Sequence, residues 1–121
     1  MITTTGMNTK EIINAVIESF ENNEVEAILN HMTDDVEWQM IGDKTISGKD
    51  DMRNFFTDNN DMKMISSTKK HILIDGDHVA VDGEVQCSKD GEVMDMYYCD
   101  IYELENELVK KMTTYIITKK K

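Results

Sequence analysis

The amino-acid sequence predicts an α+β domain in which three N-terminal helices pack on a curved, mostly antiparallel sheet. Two observations carry this expectation. Apolar residues recur at helical spacing only in the first half of the chain, between Asn8 and Asn60. From Met62 onward the chain reads as long runs with period-two alternation, separated by short turns rich in Gly, Asp and Asn. Helices followed by a meander of antiparallel strands is an α+β order.

The elements follow in sequence. Asn8 and Glu11 form a capping-box pattern, which starts the first helix. Ile12, Ile13, Val16, Ile17 and Phe20 then share one apolar face, and Asn22-Asn23 breaks the pattern. A second, short helix carries Val25, Ile28, Leu29 and Met32 on one stripe and ends at Thr33-Asp34-Asp35. From Val36 to Ile41, the residues Val36, Trp38 and Met40 alternate with Glu37 and Gln39, a short strand with one buried face. Gly42-Asp43 turns the chain. Ser47 then caps a third helix with acids in its first turn, where the helix dipole favours them. Its apolar face is Met52, Phe55 and Phe56, and Asn59-Asn60-Asp61 closes it.

The strands begin at Met62. The first runs to Asp75, and Asp75-Gly76-Asp77 is a hairpin signal. In the second, Val79, Val81, Val85 and Cys87 form the apolar face, and Gly83 falls among them as a bulge or bend. Lys89-Asp90-Gly91 leads into a third strand, Glu92 to Leu104, and Glu105-Asn106-Glu107 into a last one, Leu108 to Thr118.

Composition bounds the function. The chain has 121 residues, enough for one domain spanning 1–121 with its own core. No apolar run approaches the roughly 20 residues of a membrane helix. Met1 to Lys10 has no apolar signal core, so a cytoplasmic protein with reduced thiols is expected. Met7 is the alternative start, because the helical pattern begins just after it. The net charge is −11, from 24 acidic and 13 basic residues, which disfavours nucleic acid as a partner. The one dense basic run, Lys119 to Lys121, reads as a solvated tail. No Gly-rich phosphate loop and no His, Asp or Glu set at metal spacing is present, so neither cofactor nor metal is expected.

The strand from Glu92 to Leu104 is the most informative segment. One face carries Met94, Met96, Tyr98, Asp100, Tyr102 and Leu104: apolar and aromatic, with a single carboxylate in the middle. The other face is also apolar at its centre, through Tyr97, Cys99 and Ile101. Helices cover one face. A second subunit is the simplest cover for the other, so a homodimer through Tyr97, Cys99 and Ile101 is expected.

Three stretches of the chain resemble the nuclear-transport-factor-2-like superfamily, and within it the SnoaL-like proteins related to polyketide cyclases and ketosteroid isomerases. They are Glu24-Val25-Glu26-Ala27-Ile28 through Asp34-Asp35-Val36-Glu37-Trp38, Ile46-Ser47-Gly48-Lys49 through Phe55-Phe56, and Cys99 to Leu104 through Tyr115. The resemblance implies a cystatin-like cone with an apolar pocket between the sheet's concave face and the helices. It also implies dimerisation through the sheet's other face. Asp100 falls where the isomerases place an acid that donates a hydrogen bond to a developing oxyanion. Met40 falls at the position of their general base, and Val16 at that of their partner tyrosine. Neither side chain moves a proton, so the isomerase route itself is not expected.

Asp100 is the leading candidate for acid/base chemistry on a bound ligand: isomerisation, cyclisation or hydration. The alternative is a structural acid bonded to Tyr98, Tyr102 or a neighbouring strand. His71 is a second proton carrier if its strand turns it inward with Leu73; otherwise it is a rim or surface residue. His31 and His78 are expected to be exposed. The expected lining for a small apolar ligand is Trp38, Met40, Met52, Phe56, Tyr98, Tyr102, Met112 and Thr114, with Phe55 beside them; core packing is the other account of the same residues. Cys87 is expected in the core and Cys99 at the interface, with nothing near either to activate a thiol.

Overall fold

The computed structural model describes residues 8–119. The choice between Met1 and Met7, and the last two residues of the basic tail, lie outside the described residues. The element order is α1 (Thr9–Glu21), α2 (Val25–Asn30), β1 (Met32–Met40), β2 (Thr45–Ser47), α3 (Lys49–Asp58), β3 (Met62–Asp75), β4 (His78–Lys89), β5 (Glu92–Glu105) and β6 (Leu108–Thr118). All six strands form one sheet in the order β2-β1-β6-β5-β4-β3. The meander β3 to β6 is antiparallel, as the alternation predicts, but β1 joins β6 in parallel, so the sheet is mixed.

The helices start where the chemistry places them, with two corrections. The Asn8 side chain accepts from the Glu11 amide at 2.9 Å, and the Glu11 carboxylate accepts from the Asn8 amide at 3.0 Å, closing the capping box. The helix α2 ends at Asn30, not at Thr33: Met32 extends the helical stripe in sequence but belongs to β1, where it is fully buried. Ser47 does not cap α3. It ends β2, a short strand the apolar pattern does not announce, and Gly48 is the N-cap with φ +86°. That left-handed backbone suits glycine and lets the Gly48 amide donate to the Val36 carbonyl at 2.6 Å. The helix α3 therefore follows β1 and β2, and only α1 and α2 precede the sheet.

Strand register sets depth along the concave face. Successive inner rungs from β4 through β5 to β6 are Val79–Tyr102–Met112, then Val81–Asp100–Thr114, then Gly83–Tyr98–Ile116. The first rung is fully buried and joins Ile13, Val16, Leu29 and Met52 in the core that seals the narrow end of the cone. Later rungs open into a cavity. Gly83 lets β3 approach closely: a Cβ there would lie 1.9 Å from the Thr68 carbonyl oxygen. The strand β3 slips register opposite it, between Lys69 and His71, so the irregularity sits on the partner strand and the glycine admits its backbone.

Candidate functional site

The cavity between the concave face and the helices has a volume of about 650 Å³. Its aromatic wall comes from four rings on three elements. Trp38 on β1 lies 5.8 Å from Phe20, 5.7 Å from Phe55 and 6.1 Å from Phe56, centroid to centroid. Such edge and tilted contacts are the favourable geometries for aromatic pairs, so the wall is pre-formed. The opposite wall is softer. Met64 on β3, Cys87 on β4 and Met94 on β5 lie side by side in register, all bordering the cavity.

Asp100 sits at the deep end. It borders the cavity and keeps part of its surface open to it, while protein surrounds the rest. Trp38 Nε1 donates to Thr114 Oγ1 at 2.8 Å, and Thr114 Oγ1 donates to Asp100 Oδ1 at 2.7 Å. The direction of this relay is fixed. Indole N–H only donates, so the Thr114 oxygen accepts from it and turns its own proton toward Asp100. When Asp100 is neutral, its proton therefore falls on Oδ2. Burial pushes the Asp100 pKa up to about 6, against the pull of hydrogen bonds from Thr114 and Tyr102. Burial likewise raises the Tyr98 hydroxyl, with the Asp100 charge adding to it, and holds the Tyr102 hydroxyl well above its usual range.

Most of the expected lining comes together here. Trp38, Met40, Phe55, Phe56, Tyr98, Tyr102, Met112 and Thr114 all border the cavity with Asp100. Two expected site residues do not. Met52 faces the core, with no exposed surface, because α3 turns it away from the cavity occupied by Phe55 and Phe56. His71 lies on the outer face: its Nδ1 is 2.9 Å from Asp82 Oδ1, and its side chain is 58% exposed. Leu73 lies on the same outer side and is 66% exposed, so the pair expected inward points outward together. Cys87 is half-buried in the cavity wall, not sealed in the core. Burial raises both thiols, so neither is set up as a thiolate nucleophile.

Sequence reasoning missed Phe20, Met62, Met64 and Ser67 as lining residues. The β3 residues among them were hidden by its two register slips; Phe20 was legible only as a helix-face residue. Among the described residues no cluster of His, Cys, Asp and Glu could hold a metal ion. No helix among them is long and apolar enough to cross a membrane.

Residues 13–112 match the SnoaL-like domain family. The chain belongs to the SnoaL-like family. Among curated proteins, none is significantly similar in sequence to this SnoaL-like chain. Solved structures share its fold. An NTF2-like protein from Cytophaga hutchinsonii is 22% identical with a TM-score of 0.71, over 91% of this chain and 100% of the other. An LEH-like epoxide hydrolase from M. tuberculosis is 13% identical with a TM-score of 0.79, over 88% and 80%. A ketosteroid isomerase-like protein from Erwinia carotovora atroseptica is 16% identical with a TM-score of 0.72, over 91% and 94%. At these identities the likeness is one of fold, and activity must be argued from the site.

Proposed function

We propose that this SnoaL-like protein binds a small, largely apolar organic ligand in the cone pocket and that Asp100 acts on it as an acid/base group. The observation that carries the reading is a carboxyl with a pKa near 6 at the deep end of an apolar cavity of about 650 Å³. A group titrating there exists in both forms near neutral pH, which suits proton transfer. Its neutral form donates from Oδ2 to a ligand oxygen, and its charged form accepts a proton from carbon or water. Isomerisation, cyclisation and hydration all need such a step. Fold neighbours described as ketosteroid isomerase-like and as an epoxide hydrolase lend the same classes support. The assembly in this reading is a homodimer through Tyr97, Cys99 and Ile101 on the outer sheet face.

One observation favours a narrower reading, a binding module without catalysis. Among the described residues, the carboxylates bordering the cavity are Asp100 and the exposed Asp43, and no histidine borders it. Met40 borders the cavity where the isomerase resemblance expects a base, and Val16 is sealed in the core. Asp100 is then the one carboxyl at the deep end for both proton removal and return, with the Tyr98 and Tyr102 hydroxyls as its titratable neighbours there.

The test uses a library of lipids, steroids and polyketide-like compounds, screened by thermal shift and by quenching of Trp38, the single tryptophan. Compounds that stabilise the protein are then incubated with wild-type protein and with Asp100→Asn, and the products are followed by NMR. Binding by both variants with turnover only by the wild type supports catalysis. Binding without turnover supports the module. A library that shifts nothing removes the ligand pocket from both readings.

A further inference from the structure

We infer that the soft wall of the cavity binds a soft monovalent metal ion of the Cu(I) class, held by the Cys87 thiolate and the thioether sulfurs of Met64 and Met94. The site stands apart from Asp100 and does not depend on the organic-ligand reading. Three neighbouring strands bring the sulfurs together. Met64 of β3 is the register partner of Cys87 of β4, and Cys87 is the register partner of Met94 of β5. Register partners carry their side chains on one face, with Cβ atoms about 4.5–5.5 Å apart. All three residues border the cavity and are half-buried, so each keeps surface open to an entering ion.

A thioether on rotatable bonds can turn its sulfur toward the central thiol from either side. Met62, two residues before Met64, and Met96, two residues after Met94, border the same cavity and widen the sulfur patch. Four of the chain's ten methionines thus flank one cysteine. Cys99 has no such company: its register partners are Asp82 and Tyr115. Met64 is also clamped from outside the sheet. Asn23, at φ +57° in the turn after α1, accepts from the Met64 amide at 3.1 Å and donates to the Met64 carbonyl at 3.4 Å. The clamp holds Met64 just where β3 slips register.

Charge and softness select the ion. As the metal–sulfur bond forms, the thiol proton leaves to solvent. A thiolate with a monovalent ion is neutral overall, which an apolar wall tolerates; a divalent ion would leave a net positive charge there. Among the described residues, the carboxylates bordering the cavity are Asp43 and Asp100, and neither is near enough to neutralise it. Asp100 pairs with Val81, six residues from Cys87 along β4, about 20 Å on an extended strand. Asp43 lies in the β1–β2 turn, with β6 and β5 between β1 and β4 in the sheet. Lys89, two residues beyond Cys87, has the exposed Glu92 as its register partner, so one charge of each sign lies a rung further out. No histidine borders the cavity among the described residues. A donor set of thiolate and thioethers alone favours Cu(I) over harder ions.

The experiment uses two probes: Cu(I) under anaerobic conditions, in competition with a chromophoric Cu(I) chelator, and Ag(I) as its redox-inert counterpart. Protein labelled with ¹³C at the methionine methyls reports the ligands by NMR. One equivalent of either ion should move the Met64 and Met94 methyl signals and leave those of the core residues Met32 and Met52 in place. Cys87→Ser should abolish this binding. Met64→Leu with Met94→Leu, which keeps apolar bulk, should weaken it about ten-fold or more. Cys99→Ser and Asp100→Asn should bind as the wild type does. An affinity unchanged by the double methionine substitution, a first equivalent lost with Cys99→Ser, or Zn(II) binding as tightly as Cu(I) overturns the inference. None of these results touches the organic-ligand reading, which the Asp100→Asn screen tests separately.

Discussion

Ionising Asp100 moves a charge away from water into a cavity wall, and Thr114 and Tyr102 offset that cost only in part. The consequence for stability has a definite sign. Asp100 has a pKa near 6 in the folded protein and about 3.9 when the chain is unfolded. Between those values the folded state binds more protons than the unfolded one, so this group's contribution to stability falls as pH rises from about 4 to about 6. Above the folded value the loss is complete, roughly 2–3 kcal/mol by linkage. Asp100→Asn, whose amide oxygen can still accept from Thr114, should match wild type near pH 4 and exceed it by up to that amount at pH 8. Urea titrations of both proteins at the two values measure the difference, which cancels the pH dependence of the other carboxylates. A difference that does not change with pH would show that Asp100 titrates normally. Thr114→Val probes the relay from the other side. It removes the donor to Asp100 and leaves the Trp38 indole N–H without its partner. The variant should raise the Asp100 pKa further and cost about 1–3 kcal/mol, read by NMR titration of the carboxyl carbon and by urea melts.

Elements differ in how much of them the sequence discloses, and the reasons are physical. The strand β5 is regular throughout its pairing with β4, so a period-two reading puts Asp100 and its neighbours on the correct face. The strand β3 is not regular. It slips once between Met64 and Ser66 and again between Lys69 and His71, and each extra residue inverts the alternation. That is why the face of His71 was illegible and why Met64 and Ser67 were missed as lining. At the junction of α2 and β1 the same apolar residue satisfies either period: Met32 fits the helical stripe of Leu29 and also the strand face of Val36. The second slip of β3 lies against Gly83, which turns the bulge into a test. Gly83→Ala would set a methyl 1.9 Å from the Thr68 carbonyl oxygen, backbone that cannot rotate aside. It should destabilise by about 2–4 kcal/mol, well beyond an ordinary surface substitution, and move the β3 amide resonances in an NMR spectrum. An effect within about 0.5 kcal/mol would mean that β3 lifts freely and does not shape the cone.

At the scale of the whole molecule, the convex face of the sheet is what the helices leave uncovered. Tyr97, Cys99 and Ile101 of β5 pair in register with Ile117, Tyr115 and Thr113 of β6 on that face. Tyr97 is 49% exposed and Ile117 67% exposed, while Leu73 of β3 extends the same apolar strip toward the edge. Contiguous apolar surface on a sheet face is a poor end state for a single chain, and a two-fold partner covers it with the same residues twice. Charge opposes this assembly: with −11 on each copy, two chains repel at low ionic strength, and salt should tighten the pair. The proposed homodimer therefore predicts a concentration-dependent dimer in sedimentation at micromolar protein, with a dissociation constant that falls as salt rises from low to moderate. Tyr97→Lys with Ile117→Lys should give a monomer that still binds ligand in the cone, because both side chains point away from the cavity. A wild-type chain that stays monomeric at tens of micromolar in moderate salt would sink the dimer and leave the two apolar faces of β5 needing another explanation. A double variant that remains dimeric would move the interface elsewhere on the molecule.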